Sequence, residues 1–226
     1  MTTSLHEQRL DAVVDAVREC RAETVLDLGC GDGPCLLRLA EEPGVRTIVG
    51  IDLSAGALER LRCRLREAPA STRRKVELLN RCFLEPAAGL ANFDMAILVE
   101  SIEHIDPDRL AMIERAVFEQ LLPASVVITT PNADFNPLLG VPGHRFRHPD
   151  HRFEWGRAKF RSWSKGIASR TGYAVSHRDV AGAHPQFGGA SQMALFRRLE
   201  PVAHALPDSA ALRSNLSRTA IWSPVR

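Results

Sequence analysis

No stretch of this 226-residue chain reaches the roughly eighteen consecutive apolar residues that a membrane-crossing helix needs, and the N-terminus shows no secretory hydrophobic segment or lipidation signal. A strong charge of one sign is missing too. The chain has 29 Lys and Arg against 27 Asp and Glu, a net +2 that demands no nucleic-acid partner, so any basic surface must be local. Its five cysteines, Cys20, Cys30, Cys35, Cys63 and Cys82, lie in the first 82 residues and contain no Cys-x-x-Cys or paired zinc spacing. These absences argue against a disulfide framework, a zinc site and a membrane partner, and a cytoplasmic protein with reduced thiols is expected. With 45% apolar residues and no internal repeat, the chain suits one globular domain over 1–226, with a core from 5 to 199 and a tail from 200 to 226.

Strands and helices alternate over the first 130 residues. Leu10, Val13, Val14 and Val17 recur at helical spacing, so residues 5–20 predict an amphipathic lead helix whose role is packing. Apolar runs at Thr24–Leu28, Thr47–Ile51, Val76–Leu79, Phe93–Val99 and Ser125–Thr130 read as buried strands. Pro34, Ser54 and Asp106-Pro107 mark helix starts, the last helix running to about Leu121. The pattern predicts a doubly wound, mainly parallel α/β sheet. Residues 131–155 then carry four prolines, two glycines and no period, a long loop of the kind kept for function. A helix over 157–171 packs Phe160, Trp163 and Ile167, and two strands of alternating pattern at 172–180 and 191–199 are expected to close the sheet as an antiparallel hairpin.

The turn after the first strand, Asp27-Leu28-Gly29-Cys30-Gly31-Asp32-Gly33, has the form of a nucleotide-binding glycine loop, with Asp52 placed as a ribose-binding acid. Two carboxylates bracket the glycines, however, and a helix start that cradles pyrophosphate gains nothing from added negative charge. A cofactor with an ammonium, a sulfonium and an adenosine but no phosphate suits the loop better. That cofactor is S-adenosylmethionine, and the stretch resembles the first motif of the seven-stranded, Rossmann-like class I methyltransferases. The resemblance implies that Gly29 and Gly31 allow close backbone approach, that Asp27 and Asp32 favour the positive methionine end, and that Asp52 takes the ribose hydroxyls.

The turn after the fourth strand is Glu100-Ser101-Ile102-Glu103-His104. If helical, it puts residues 100, 103 and 104 on one face, where two carboxylates and an imidazole would repel and lose hydration unless a cation sat among them. A wetted first helical turn is the plain alternative. Two later motifs, Thr129-Thr-Pro-Asn-Ala-Asp-Phe-Asn136 and Arg147-His-Pro-Asp-His-Arg-Phe-Glu-Trp155, follow in order. Together the three resemble the RNA 3′-terminal 2′-O-methyltransferases, the family that caps small RNAs in eukaryotes and acts in bacterial RNA repair. The likeness runs from about Leu5 to Arg198.

That resemblance implies one divalent metal, Mg²⁺ or Mn²⁺, held by Glu100, Glu103, His104 and His151. Chelation of the terminal 2′ and 3′ hydroxyls would activate the 2′-OH and select an RNA 3′ end over DNA. The proton acceptor is left open between His104, His148 and water. Arg145, Arg147, Arg152 and Phe153, within a basic stretch interleaved with rings, are candidates to contact single-stranded RNA. The sequence also departs from the family. Arg81-Cys82 stands where Gly-Ser is usual, leaving Cys82 to approach the adenosine as a weak donor, and Gly156 replaces a threonine at a helix start. The domain starts almost at the first residue given, and it is expected to act alone or with a separate RNA repair kinase-phosphatase. Two rivals stand beside this expectation: a metal-assisted O-methyltransferase for a small catechol or diol, and a degenerate methyltransferase fold serving as an RNA-binding module.

Overall fold

The computed structural model describes residues 4–86 and 89–199, and the tail from Glu200 lies outside the described residues. Seven strands form one sheet: β1 (Thr24–Leu28), β2 (Thr47–Asp52), β3 (Val76–Asn80), β4 (Met95–Val99), β5 (Ser125–Pro131), β6 (Tyr173–Val180) and β7 (Ser191–Arg198). Their spatial order is β3-β2-β1-β4-β5-β7-β6, with β1 to β5 parallel and β7 antiparallel to both of its neighbours. Every residue of β1 is buried, as expected of a strand covered on both faces. Side-chain alternation sends Val25, Ile97 and Val127 into one apolar layer and Leu26, Leu98 and Ile128 into the other.

The first layer is closed by α1 (Ser4–Cys20), α2 (Pro34–Glu41) and α3 (Ala55–Glu67), through Leu10, Val13, Leu36, Leu39, Leu58 and Leu61. A short α4 (Ala70–Arg74) leads into β3. The second layer carries α5 (Leu110–Ile113) and α6 (Arg157–Thr171), packed by Phe118, Phe160, Ile167 and Phe196.

Three local expectations need correction. The helix after Pro107 is broken into a 3₁₀ turn (Pro107–Arg109), the single turn of α5 and wider π-wound turns over Glu114–Leu121. Asp106 makes no side-chain cap there, and its carboxylate lies 3.6 Å from the Arg152 guanidinium. The C-terminal hairpin is present, but its strands do not both alternate: the first six residues of β7 are all buried because Met193 and Leu195 enter one apolar layer and Ala194 and Phe196 the other. Gly156, finally, does not leave α6 uncapped. Asp134 reaches across from the loop and accepts the Arg157 N–H at 3.0 Å, and a Cβ at position 156 would overlap its carboxylate.

Candidate active site

The glycine loop sits where β1 ends, outside the carboxyl edge of the sheet, where open α/β folds bind ligands. Gly29 has φ +83°, and a Cβ there would lie 2.8 Å from Ser101 Oγ, so only glycine fits. Asp52 fixes the loop. One of its oxygens accepts the Gly31 N–H at 2.8 Å and the other the Ser54 N–H at 2.7 Å. Alongside lies a cleft of about 600 Å³ lined by Gly29, Gly31, Asp52, Cys82, Ser101 and His104, with Arg109 and Arg152 adding positive charge.

Asp27 is fully buried, and its Oδ2 has no hydrogen-bond partner. Burial and the nearby Asp52 push its carboxyl up to about 7. An orphaned acid beneath a glycine turn fits the cationic methionine end of S-adenosylmethionine, which would restore the missing electrostatic partner. Neither Asp27 nor Asp32 lines the cleft directly; Asp27 lies buried behind the glycine turn, whereas Asp32 is exposed and its backbone carbonyl accepts from Arg64 at 2.9 Å.

The turn after β4 is not α-helical. Glu100 adopts φ +51° and its N–H bonds the Thr129 carbonyl at 3.1 Å, after which Ile102–His104 forms a 3₁₀ turn. Glu100 Oε2 lies 3.2 Å from the Arg9 guanidinium on α1. Glu103 is wholly buried and its Oε2 accepts the Thr130 hydroxyl at 3.0 Å. Burial, then the Glu100 charge, raise the Glu103 carboxyl well above its ordinary range; burial also raises Glu100, against the pull of Arg9. Oε1 of each glutamate is buried without a hydrogen-bond partner. Two unpartnered carboxylate oxygens on residues whose charges act on one another fit a missing cation.

The long loop brings two more imidazoles. Arg152 N–H donates to the Glu103 carbonyl at 2.7 Å, which pins the loop to the turn after β4. Ring centroids are then 4.9 Å apart for His104 and His151, 5.6 Å for His148 and His151, and 5.9 Å for His104 and His148. The ligand atoms of these three histidines lie within 4.8 Å of one another; neither glutamate carboxylate joins them inside that distance. His151 Nδ1 is 2.6 Å from Glu154 Oε1, a contact that holds the proton on Nδ1 and leaves Nε2 free to bind a metal. Burial, followed by the neighbouring His151, lowers the His104 pKa and favours its neutral, ligating form.

The basic stretch divides in two. Arg145 and Arg152 are exposed, whereas the Arg147 guanidinium donates to Asn136 Oδ1 (2.6 Å), the Ala190 carbonyl (2.6 Å) and the Asn132 carbonyl (2.5 Å). Phe153 is buried and stacked on Trp155 at 4.3 Å. Arg147 and Phe153 therefore brace the loop from within. Sequence reasoning passed over Arg9 and Glu154. Arg9 has no local signal, since its partner is 91 positions away. Glu154 had one, standing three residues after His151.

A sheet of this topology, with an acid at the end of β1 and β2 and a glycine turn between, defines a Rossmann-like class I methyltransferase domain. Residues 25–123 match the methyltransferase-domain family model. The chain is 37% identical over 204 residues to the small RNA 2′-O-methyltransferase of Rattus norvegicus, covering 86% of this chain and 51% of that protein. It is 34% identical over 231 residues to that of Gallus gallus, covering 94% and 60%. The methyltransferase domain of a bacterial Hen1 superposes with TM-score 0.76 at 32% identity, covering 85% of this chain and 99% of that one. For a small RNA methyltransferase HEN1 the values are 0.78 and 31%, over 90% and 27%.

The chain belongs to the small-RNA 2′-O-methyltransferase family. It spans about half the length of the curated relatives it matches. Among the described residues, no helix is long and apolar enough to cross a membrane.

Proposed function

We propose that this domain transfers a methyl group from S-adenosylmethionine to the 2′-OH of the 3′-terminal nucleotide of RNA. The observation that carries the reading is the meeting of three imidazoles beside two glutamates, each with a buried, unpartnered oxygen, at the edge of the cofactor cleft. Asp27 faces the cationic end of the donor, the Gly29 turn admits its backbone-close approach, and Asp52, already holding the loop, has lone pairs left for the ribose hydroxyls. Cys82 lines the cleft and would approach the adenosine there.

Glu100, Glu103, His104 and His151 would hold one Mg²⁺ or Mn²⁺. When bound, the ion supplies Lewis acidity to the vicinal 2′ and 3′ hydroxyls, which lowers the pKa of the 2′-OH and distinguishes a free RNA end from an internal nucleotide or from DNA. Glu154 orients the His151 ring, and the Arg152 to Glu103 hydrogen bond keeps the loop against the turn. Exposed Arg145 and Arg152 offer phosphate contacts to the incoming strand. An RNA repair kinase-phosphatase is, on this reading, the partner class the domain would work with.

The test is methyl transfer from labelled S-adenosylmethionine, with Mn²⁺, to one single-stranded RNA ending in free 2′ and 3′ hydroxyls, a 3′-phosphate, a 2′-O-methyl or a 2′-deoxy group. Labelling restricted to the first is expected. Equal labelling of the 3′-phosphate RNA would refute the chelation step, and labelling of a catechol alone would favour the small-substrate enzyme.

A further inference from the structure

We infer that the groove between α5 and α6 holds an unpaired nucleobase of the RNA strand, upstream of the terminal nucleotide whose ribose is methylated. The inference rests on the proposed function and adds to it a contact that selects single-stranded ends. It begins with spacing. Lys159, Trp163 and Arg170 recur at helical intervals on one face of α6, and Pro107, Leu110 and Glu114 do the same on the segment opposite. A regular helix there would seat its side-chain ridges against α6. This segment instead passes from 3₁₀ to α to π winding over residues 107–121, and a groove of about 460 Å³ stays open between the two, lined also by Trp155.

The lining suits a base. Trp163 is only partly buried and meets Trp155 at 66°, with ring centroids 5.6 Å apart, so two indoles bound an apolar corner. A flat base can stack on one ring and set its edge against the other. The exposed Lys159 places its Nζ 4.9 Å from the Trp155 centroid, at a height where the same cation can meet a phosphate. Position supplies the rest. The groove starts at Pro107, beside Asp106 and Arg109, which line the cofactor cleft together with Arg152. A strand leaving the cleft over this rim passes two arginines and then reaches the indoles. The carboxylates along the way are already paired, Asp106 with Arg152 at 3.6 Å and Glu114 with Arg170 at 2.8 Å, which leaves Arg109 and Lys159 as positive charge for a polyanion. A base held in a duplex cannot turn into the groove, so an unpaired one is required.

The experiment measures, by fluorescence anisotropy, binding of a labelled single-stranded RNA with free 2′ and 3′ hydroxyls to the full chain with S-adenosylhomocysteine. Wild type is compared with Trp163→Leu and with Ala111→Phe, which crowds the groove from an exposed position and removes no packing. Intact RNA is compared with a series carrying one abasic nucleotide at successive positions from the 3′ end. Each variant is expected to weaken binding by about tenfold, within the range for one stacked base, with a parallel rise in KM for RNA and unchanged cofactor affinity. One upstream abasic position should cost the wild type the same factor and cost Trp163→Leu nothing further. Wild-type affinity for intact RNA in both variants would overturn the inference and leave the proposed function standing, as would an abasic penalty that Trp163→Leu retains in full. A lowered unfolding temperature in Ala111→Phe with RNA affinity unchanged would assign the groove to a protein segment instead. A wild type that shows this abasic pattern yet transfers no methyl group would support the groove and overturn the proposed function.

Discussion

The sheet half of the molecule and the 132–156 loop reach the same cleft by different means. On the sheet side each functional group sits next to its strand: Asp27 in β1, Gly29 and Gly31 just beyond it, Asp52 ending β2, Glu100 just after β4. Parallel strands buried on both faces set these positions to within a residue. The loop has no such lattice. It hangs on separate hydrogen bonds: Arg152 to Glu103, Ala133 to the Trp155 carbonyl, the Asn132 side chain to the Phe187 and Gly189 carbonyls, and the three from Arg147. One side of the site is thus placed by topology and the other by individual polar contacts, which makes the second side easier to break with a single substitution.

The largest break is expected at the loop's imidazole. His151→Ala should lower methyl transfer to RNA by about three decades at saturating Mn²⁺, since metal assistance contributes several kcal/mol at 1.36 kcal/mol per decade; single-turnover rates measure it. On the sheet side, Asp27→Asn should give opposite effects on stability and on binding. Folding raises the Asp27 pKa to about 7, so the folded form holds a proton that the unfolded chain releases near 4, and the stability this group contributes is lost as pH rises through that window. At pH 8 the asparagine variant should therefore be more stable than wild type without cofactor, by roughly 2–4 kcal/mol at most, with no gain at pH 4. It should also lose the thermal stabilisation that S-adenosylmethionine gives. Melting curves at the two pH values, with and without cofactor, read both effects.

Arg147→Ala tests whether the loop depends on its anchor. Removing three part-buried hydrogen bonds should cost about 2–3 kcal/mol by denaturant unfolding, whereas Arg145→Ala should leave stability alone and weaken RNA binding less than tenfold. The smallest effect is expected at Cys82→Ser, where a stronger donor in the cleft should tighten S-adenosylmethionine by no more than about fivefold in calorimetry.

The sheet and most of the cofactor cleft were legible in sequence because their signals are local. An apolar run, a glycine turn and an acid at a strand's end lie within about ten residues of one another, and β1 to β5 fall within a residue or two of the expected runs. The expected sharing of one helical face by Glu100, Glu103 and His104 gave way to a left-handed residue and a 3₁₀ turn, a choice made by the hydrogen bond from Glu100 to β5 rather than by propensity. Arg147 reads as a surface cation by charge alone. Its environment is created by carbonyls at positions 132 and 190, which no window of sequence brings together. The same holds for Arg9 and Glu100, and for β7, which slots between β5 and β6 and sends its side chains into both apolar layers.

That slotting also sets a schedule. Asn132 and Arg147 are held by carbonyls at 187, 189 and 190, on the approach to β7. During synthesis on the ribosome, the segments that form the cofactor cleft can leave the exit tunnel and pair in chain order. The histidine-bearing loop must wait for these anchors until the strand made last among those seven has emerged and zipped in beside β5.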